Sequence, residues 1–431
     1  MGDPLAVATL LGSFVVLLVL RIPISITLAI SSFLTAFVLK IPPMVVVQKM
    51  SDVLDNFSLM AIPFFILAGQ IMADSGIARR LVDFSSILVG KMKGGLAFVN
   101  IVASMLFGGM SGSSVADTAS IGSIMIPEMV KKGYDRDYSI AVTVTSSTQG
   151  LIIPPSHNAI IYAYAAGGLS IAKLFLAGAI PGVLIGVGLM IPAYYIAIKR
   201  NYPTGERVPL KKALRIIRES ILGLLTIVII IGGVLSGVFT ATESSAIAVV
   251  YAFVIAYFFY RDITLRDFWR TVLKSVRTIA AVMFLIASAS AFGWFLAYLK
   301  VPDAIASAVL SVSSNKYIIL FMINVILLLL GMIMDMAPLI LITTPIFLPI
   351  VTKVGVDPVH FGIIMLMNLG IGLCTPPVGN TLFVGCIVGG MKMEDVVKAL
   401  WPFYIAMIAV LFLVTYIPPI AMWLPSLFGN L

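Results

Sequence analysis

The chain has 431 residues, of which 60% are hydrophobic and 11% charged, and it carries a formal net charge of +9. A water-soluble protein of this size could not cover so much apolar surface, so the chain is read as an all-α polytopic protein of the lipid bilayer. Its two cysteines, Cys374 and Cys386, and its two histidines are too few for a metal centre. Its basic residues sit in short loops between apolar runs, which speaks for membrane orientation and against nucleic acid.

In chain order, apolar runs predict helices over 5–20, 23–40 and 57–73. The amphipathic stretch 74–93 reads as an interfacial arm. The run 94–130 is apolar but broken in its middle. Legs of about 15 residues reach about 22 Å, short of a hydrocarbon core of about 30 Å. The run is therefore read as a re-entrant helical hairpin, and two short full spans are the alternative. Helices over 138–164 and 171–197 follow. The stretch 209–220 is either an interfacial helix, with Leu210, Leu214 and Ile217 on one face, or a plain cytoplasmic linker. Further helices are predicted over 219–240, 243–260 and 278–299, then a second arm over 300–316. A second broken run, 317–351, precedes helices over 359–386 and 400–428.

The two broken runs belong to a repeat. Gly109 and Met110 recur as Gly331 and Met332; Pro127, Gly133 and Asp135 recur as Pro349, Gly355 and Asp357; Gly150, Pro154, Pro155 and Asn158 recur as Gly372, Pro376, Pro377 and Asn380. All nine pairs lie 222 residues apart without a gap. Repeated helix-breaking motifs inside apolar sequence mark the binding site of a secondary transporter.

Loop charge sets the orientation. The first cation, Arg21, follows the first apolar run, which argues against a cleaved signal peptide and for an external N-terminus. With each hairpin returning to its own side, 22 of the 28 cations fall inside and six outside. This split places the C-terminus outside as well. It also makes the first hairpin enter from the cytoplasm and the second from outside, so the repeats are inverted.

The chemistry concentrates at the breaks. The first hairpin break supplies Ser111, Gly112, Ser113 and Ser114. Glycine lets a ligand approach the backbone, and a helix starting near Ser114 would offer free N–H groups to a carboxylate. Asp335 and Met336 at the second break complete the candidate anion site. Each Pro-Pro pair removes two backbone donors and frees upstream carbonyls, which suits sodium. The candidate sodium ligands are Ser111, Ser114, Thr148, Gly150 and Asn158 in the first half, and Asp335, Thr344, Gly372, Thr375 and Asn380 in the second. A charge at the bilayer centre costs about 2.5–3.5 kcal/mol, so Asp117 and Asp335 need partners. Three roles are open to each: ligating a cation, carrying a proton, or capping a hairpin leg. Glu243 reads as a helix-start residue near the outer interface, and His157 and His360 as packing or interfacial residues. No catalytic triad, metal-ligand spacing or nucleotide fingerprint is present, so neither an enzyme nor an ATP-driven pump is indicated, and no cofactor beyond sodium ions is expected.

The segments GGMSGSSVADTASIGSIMIPEM, GLIIPPSHNAIIYA, GVFTATESSAIAVVYA, GMIMDMAPLILITTPIFLPI and GLCTPPVGNTLFVG occur in this order over nearly the whole chain. Together they resemble the large membrane subunit of tripartite ATP-independent periplasmic (TRAP) transporters, the DctM-like family. The resemblance implies an elevator-type carrier in a bacterial or archaeal cytoplasmic membrane. It implies import of an organic anion, such as a dicarboxylate or sialic acid, driven by sodium. It also implies two partners, a small four-helix membrane subunit and a periplasmic substrate-binding protein. A stand-alone sodium- or proton-coupled carboxylate carrier is the alternative, and a non-transporting scaffold subunit a more distant one. On this reading, 1–73 and 165–299 are scaffold helices, 74–93 and 300–316 arms, 94–164 and 317–386 the two halves of a transport domain, and 387–431 a C-terminal scaffold segment.

The charge split gives a direct test. A single cysteine placed within 203–207 or 263–267 should be labelled only from the cytoplasm, and one replacing Ser314 only from outside. Labelling of both cytoplasmic loops from outside would remove the basis for inversion.

Overall fold

The computed structural model describes residues 3–205 and 208–428. Arg207, one of the inside cations, and positions 429–431 of the C-terminal segment lie outside the described residues. The described residues form helices, joined by short turns and one isolated backbone pairing of Lys93 with Thr204. Lipid offers no partner to a backbone amide, so a chain this apolar must pair its backbone within helices. Among the described residues, six helices are long and apolar enough to span a membrane, and the longest runs Leu265–Tyr298. The protein is a multi-pass membrane protein.

Several boundaries differ from the sequence reading, each for a physical reason. Pro43–Leu54 is an additional helix, whose polar positions hide its apolar period. The stretches 209–220 and 219–240 are one helix, Leu210–Leu235, so neither a linker nor a separate interfacial helix forms there. The helix predicted from 278 starts at Leu265, where Thr264 and Asp267 form a capping box. Its first turns are basic and need no lipid-facing apolarity. The predicted 400–428 helix is two, Met393–Tyr416 and Pro419–Leu427. Glu243 caps its own helix through Thr240, in keeping with its helix-start reading.

Both broken runs are helical hairpins. The first has legs Gly95–Ser111 and Ser114–Lys131, the second Lys316–Gly331 and Met336–Lys353. Their lengths correspond to about 24–27 Å. Both 138–164 and 359–386 are interrupted: Arg136–Ser147 resumes at His157–Ala165, and Pro358–Gly372 resumes at Asn380–Gly389. The Pro154–Pro155 and Pro376–Pro377 bonds are both cis. Second legs start at 114 and 336, interrupted helices at 136 and 358, and the long helices behind them at 171 and 393. Each pair keeps the spacing found between the sequence motifs.

In each half the first hairpin leg crosses the following interrupted helix at a glycine pair. A Cβ on Gly150 would lie 2.4 Å from Gly108 Cα, and one on Gly372 would lie 2.6 Å from Gly331 Cα. The backbones touch, so no side chain fits between them.

Packing divides the helices into two groups. Pro4–Val19, Ile24–Val38, Pro43–Leu54, Ala61–Asp74, Leu210–Leu235, Ala241–Val254 and Leu265–Tyr298 pack mainly on one another. The helices Ile171–Lys199 and Met393–Tyr416 pack instead on the hairpins and interrupted helices. The sequence reading put both in the scaffold, because continuous apolar helices look alike whichever group buries them. Ile171–Lys199 is also tied to the turn after the first hairpin. Asp135 accepts from Arg200 at 2.6 Å and from the Tyr202 hydroxyl at 2.7 Å. The Tyr202 hydroxyl, followed by Arg200, holds the Asp135 carboxyl below its usual range. The arm Ile77–Val89 is clasped on the other group: Arg80 pairs with Asp262 at 2.5 Å and lies 3.7 Å over the Tyr260 ring.

Replacing either glycine at a crossing should force the backbones apart. Gly150→Ala and Gly372→Ala should each destabilise the protein by about 1–3 kcal/mol. Gly12→Ala, where a Cβ meets nothing within 4 Å, should be neutral or slightly stabilising. Thermal unfolding of the three variants in detergent reads the difference.

Candidate functional site

Both hairpin tips and both interruptions open onto one cavity of about 280 Å³. The first tip contributes Ser111, Ser113, Ser114, Val115 and Ala116, and the second Asp335, Met336 and Ala337. The interruptions contribute Leu151, His157, Asn158 and Leu373. The remaining wall comes from the scaffold: Ile66, Gly69, Gln70, Thr278 and Val282. A larger cavity of about 440 Å³ lies between Ser58, Tyr164, Ser290 and Pro345, but it contains neither tip. The smaller cavity holds the converging polar groups, and those decide which is the site.

Local sequence explains the tips. Gly112 turns the first tip at φ +62° and donates to the Gly108 carbonyl at 2.8 Å. The Ser113 hydroxyl accepts from Ala116 N–H at 3.3 Å and so starts the second leg. At the second tip, Asp335 accepts from Met336 N–H at 2.9 Å. The helices beginning at Ser114, His157 and Met336 place their first residues on the cavity wall. N-terminal N–H groups carry partial positive charge and favour an anion.

The interruptions are held by contacts across each break and, in the second half, by the hairpin tip. Val378 N–H donates to the Met332 carbonyl at 3.2 Å, which joins the second Pro-Pro loop to the second tip. Thr381 N–H donates to the Leu373 carbonyl at 3.1 Å across the break. In the first half, the Ser156 hydroxyl donates to the Leu151 carbonyl at 2.6 Å. The two halves are joined at the site, where Ser114 and Thr381 hydroxyls lie 2.7 Å apart.

Most sequence-predicted residues gather here, though not all in one shell. Ser111, Ser113, Ser114, Asn158, Asp335 and Met336 line the cavity. Asn380 lies within hydrogen-bonding reach of Asp335. Gly150 and Gly372 are occupied by the glycine crossings. Thr148 is buried with its hydroxyl on the Thr145 carbonyl at 2.7 Å, and its Cβ faces Gly370 of the second interrupted helix. The Thr375 hydroxyl donates to the Ile371 carbonyl at 2.8 Å. Thr344 is not brought to the second tip. It stands nine residues past Asp335, about 13 Å along the leg, with its hydroxyl 3.5 Å from Met365 Sδ. Asp117 is buried and lies outside the cavity wall.

The scaffold wall and His157 escape sequence reasoning. His157 Nδ1 is buried without a hydrogen-bond partner, and a Cβ on Gly112 would come within 2.9 Å of it. Its position beside the Pro-Pro break was the available signal. Gly69 presses on the first tip, since a Cβ there would lie 3.0 Å from Ser111 Cα. His360 packs, with Nε2 2.9 Å from the Val414 carbonyl.

The oxygen chemistry suits a hard monovalent cation. The second tip brings a carboxylate, an amide and the Leu373 and Thr375 carbonyls into one region, the two carbonyls lying 3.3 Å and 3.0 Å from a Cβ on Gly379. The first tip offers the Ser111 hydroxyl, held by two long contacts to the Ser113 backbone at 3.4 Å and 3.5 Å, and Asn158. All are oxygen donors apart from the amide nitrogens, as such an ion requires.

The chain matches the family described as Tripartite ATP-independent periplasmic transporter, DctM component, over residues 11–420. It belongs to that family. It is 41% identical over 381 residues to a C4-dicarboxylate TRAP transporter large permease protein of Pseudomonas aeruginosa, covering 88% of this chain and 89% of the relative. It is 39% identical over 381 residues to a sialic acid TRAP transporter large permease protein of Vibrio cholerae, with the same coverage of 88% and 89%. An uncharacterized protein, YgiK, of Salmonella typhimurium is 47% identical over 426 residues, 98% of each chain. Among solved structures, the YdaH transporter of Alcanivorax borkumensis has the same fold at 12% identity, with a TM-score of 0.65 over 89% of this chain and 88% of that one. The chain is a TRAP-type permease subunit, not an enzyme.

Removing hydroxyls at the first tip tests the cavity. The Ser113→Ala/Ser114→Ala double variant should lower substrate transport by about ten- to hundredfold at equal expression, since a hydrogen bond to a charged group contributes about 1.5–3 kcal/mol. Unchanged transport would place the anion elsewhere.

Proposed function

We propose that this chain is the carrier subunit of a sodium-coupled importer of a small organic carboxylate. The observation that carries this reading is the single cavity in which both hairpin tips meet both Pro-Pro interruptions. The anion binds between the tips, against Ser111, Gly112, Ser113, Ser114 and Met336. One sodium ion binds where the first tip meets the first break, through Ser111, Ser114, Asn158 and the backbone near Gly150. A second binds where Asp335, Thr375 and Asn380 meet the backbone near Gly372. Thr344 drops out of this set. A cavity of about 280 Å³ suits a molecule the size of a C4-dicarboxylate. The relatives named for C4-dicarboxylate and sialic acid support a carboxylate in general.

The partners are a small four-helix membrane subunit and a periplasmic binding protein, in the cytoplasmic membrane, with both termini of this chain outside. The tripartite family supports that assembly. The repeats are inverted, the hairpins re-entrant, and the hairpin group moves against the scaffold as an elevator. Supporting this, the cavity wall at Gln70 and Thr278 adjoins Asp74, Thr271 and Lys274, on the side that loop charge assigns to the cytoplasm. The site is thus open inward. The larger cavity stands beside Ser290 and Gly293, 8–11 residues beyond Val282 on the same helix. Tips that rise to that level travel about 12–16 Å.

Two sodium ions with a monoanion carry one net charge, worth about 2.3 kcal/mol per 100 mV, so uptake of a monoanion should respond to voltage, whereas a dicarboxylate dianion would be carried electroneutrally. In proteoliposomes containing both partners, replacing sodium by choline at fixed voltage and pH should abolish uptake. Asp335→Asn should raise the sodium concentration for half-maximal uptake by about tenfold or more. Equal uptake in choline would end the sodium assignment. Full-rate uptake by the chain without its partners would favour the stand-alone carrier.

A further inference from the structure

Asp117 stands on the second leg of the first hairpin, three residues beyond Ser114 and off the cavity wall. It is fully buried, and neither carboxylate oxygen has a hydrogen-bond partner. Ser104 of the first leg and Ser147 of the interrupted helix lie beside the carboxylate, yet neither completes a hydrogen bond to it. Both hydroxyls also have other partners. The Ser147 hydroxyl donates to the Thr143 carbonyl at 2.5 Å and shares a 2.5 Å contact with Thr118. The Ser104 hydroxyl accepts from Ser146 at 3.2 Å. The carboxylate is therefore faced by two hydroxyl groups, one from the first hairpin leg and one from the interrupted helix. No charged or titratable group from those elements or from the adjoining Asn380–Gly389 helix acts on it.

A bare carboxylate is not tolerated in such a place; it takes a counter-ion or a proton. Hydroxyl-lined surroundings can accommodate either. The positions 222 residues on are Ile326, Leu339 and Leu369, all apolar, so the feature belongs to one half only. It is separate from the paired tip sites.

We propose that Asp117, with the Ser104 and Ser147 hydroxyls, forms a third seat for a small monovalent cation, sodium or a proton, that pins both legs of the first hairpin to the interrupted helix. This inference rests on the reading of the protein as a cation-coupled carrier.

The test uses the full chain purified in detergent, with thermal unfolding as the readout and no substrate. One arm varies sodium chloride against choline chloride at fixed pH. The other varies pH in choline alone. A seat for sodium predicts that Asp117→Asn lowers the slope of Tm against the logarithm of sodium concentration by about one third, from three linked ions to two. A seat for a proton predicts that the sodium slope is kept while stabilisation of the parent protein by acid is reduced in Asp117→Asn. Either result supports the seat and names its ion. An Asp117→Asn protein that follows the parent in both arms overturns it, leaving a permanently neutral carboxyl. If Asp117→Asn does not fold, Ser104→Ala/Ser147→Ala removes the hydroxyl ligands without altering charge: a sodium seat must lose sodium slope, a proton seat must keep its stabilisation by acid, and an unchanged sodium slope with no stabilisation by acid overturns the proposal. A parent protein with no sodium response would refute the tip sites, while the pH arm would still decide the Asp117 seat.

Discussion

The structure depends on one constraint: a helix interrupted at membrane depth must find partners for the amides and carbonyls it exposes. Two hairpin tips and two Pro-Pro loops create that debt at nearly one place. Much of it is met mutually. The second loop donates to the second tip through Val378 and Met332, and each half lays backbone on backbone at a glycine crossing. What the protein leaves unpaired at these ends is available to ligands. Binding capacity here is thus a residue of incomplete helix capping, and its location follows from where the helices stop.

The sequence showed this region well because glycine and proline punctuate it. Gly112, Pro154–Pro155 and Pro376–Pro377 each stand at or beside an observed interruption. Pro345 and Pro349 lie within the continuous leg Met336–Lys353, so a proline in apolar sequence is not by itself an interruption. The scaffold half of the cavity was not legible. Ile66, Gly69, Thr278 and Val282 are ordinary residues of helices, and only tertiary packing brings them to the tips. The same holds for Ile171–Lys199 and Met393–Tyr416, whose membership in the hairpin group is a matter of neighbours and not of composition.

Symmetry of backbone coexists with asymmetry of chemistry. Equivalent elements start 222 residues apart, from the second hairpin legs to the long helices behind them. The polar content differs. The first tip is a run of small hydroxyl residues, and the second carries a carboxylate and methionines. Asp117, Ser104 and Ser147 have the aliphatic counterparts Leu339, Ile326 and Leu369 in the second half. Two copies of one backbone design can therefore carry different side-chain chemistry without departing from a common geometry.

The clasp on the first arm sets a mechanical limit. Arg80 holds the arm to Asp262 and Tyr260, and the arm ends at Val89. The first hairpin begins at Gly95, so five residues, 90–94, form its leash. Fully extended, such a leash reaches about 17 Å. Any parting of hairpin and arm beyond that length requires the arm itself to tilt or peel from its anchor, so a short glycine-bounded strap, and not the depth of any pocket, limits how far the two can separate.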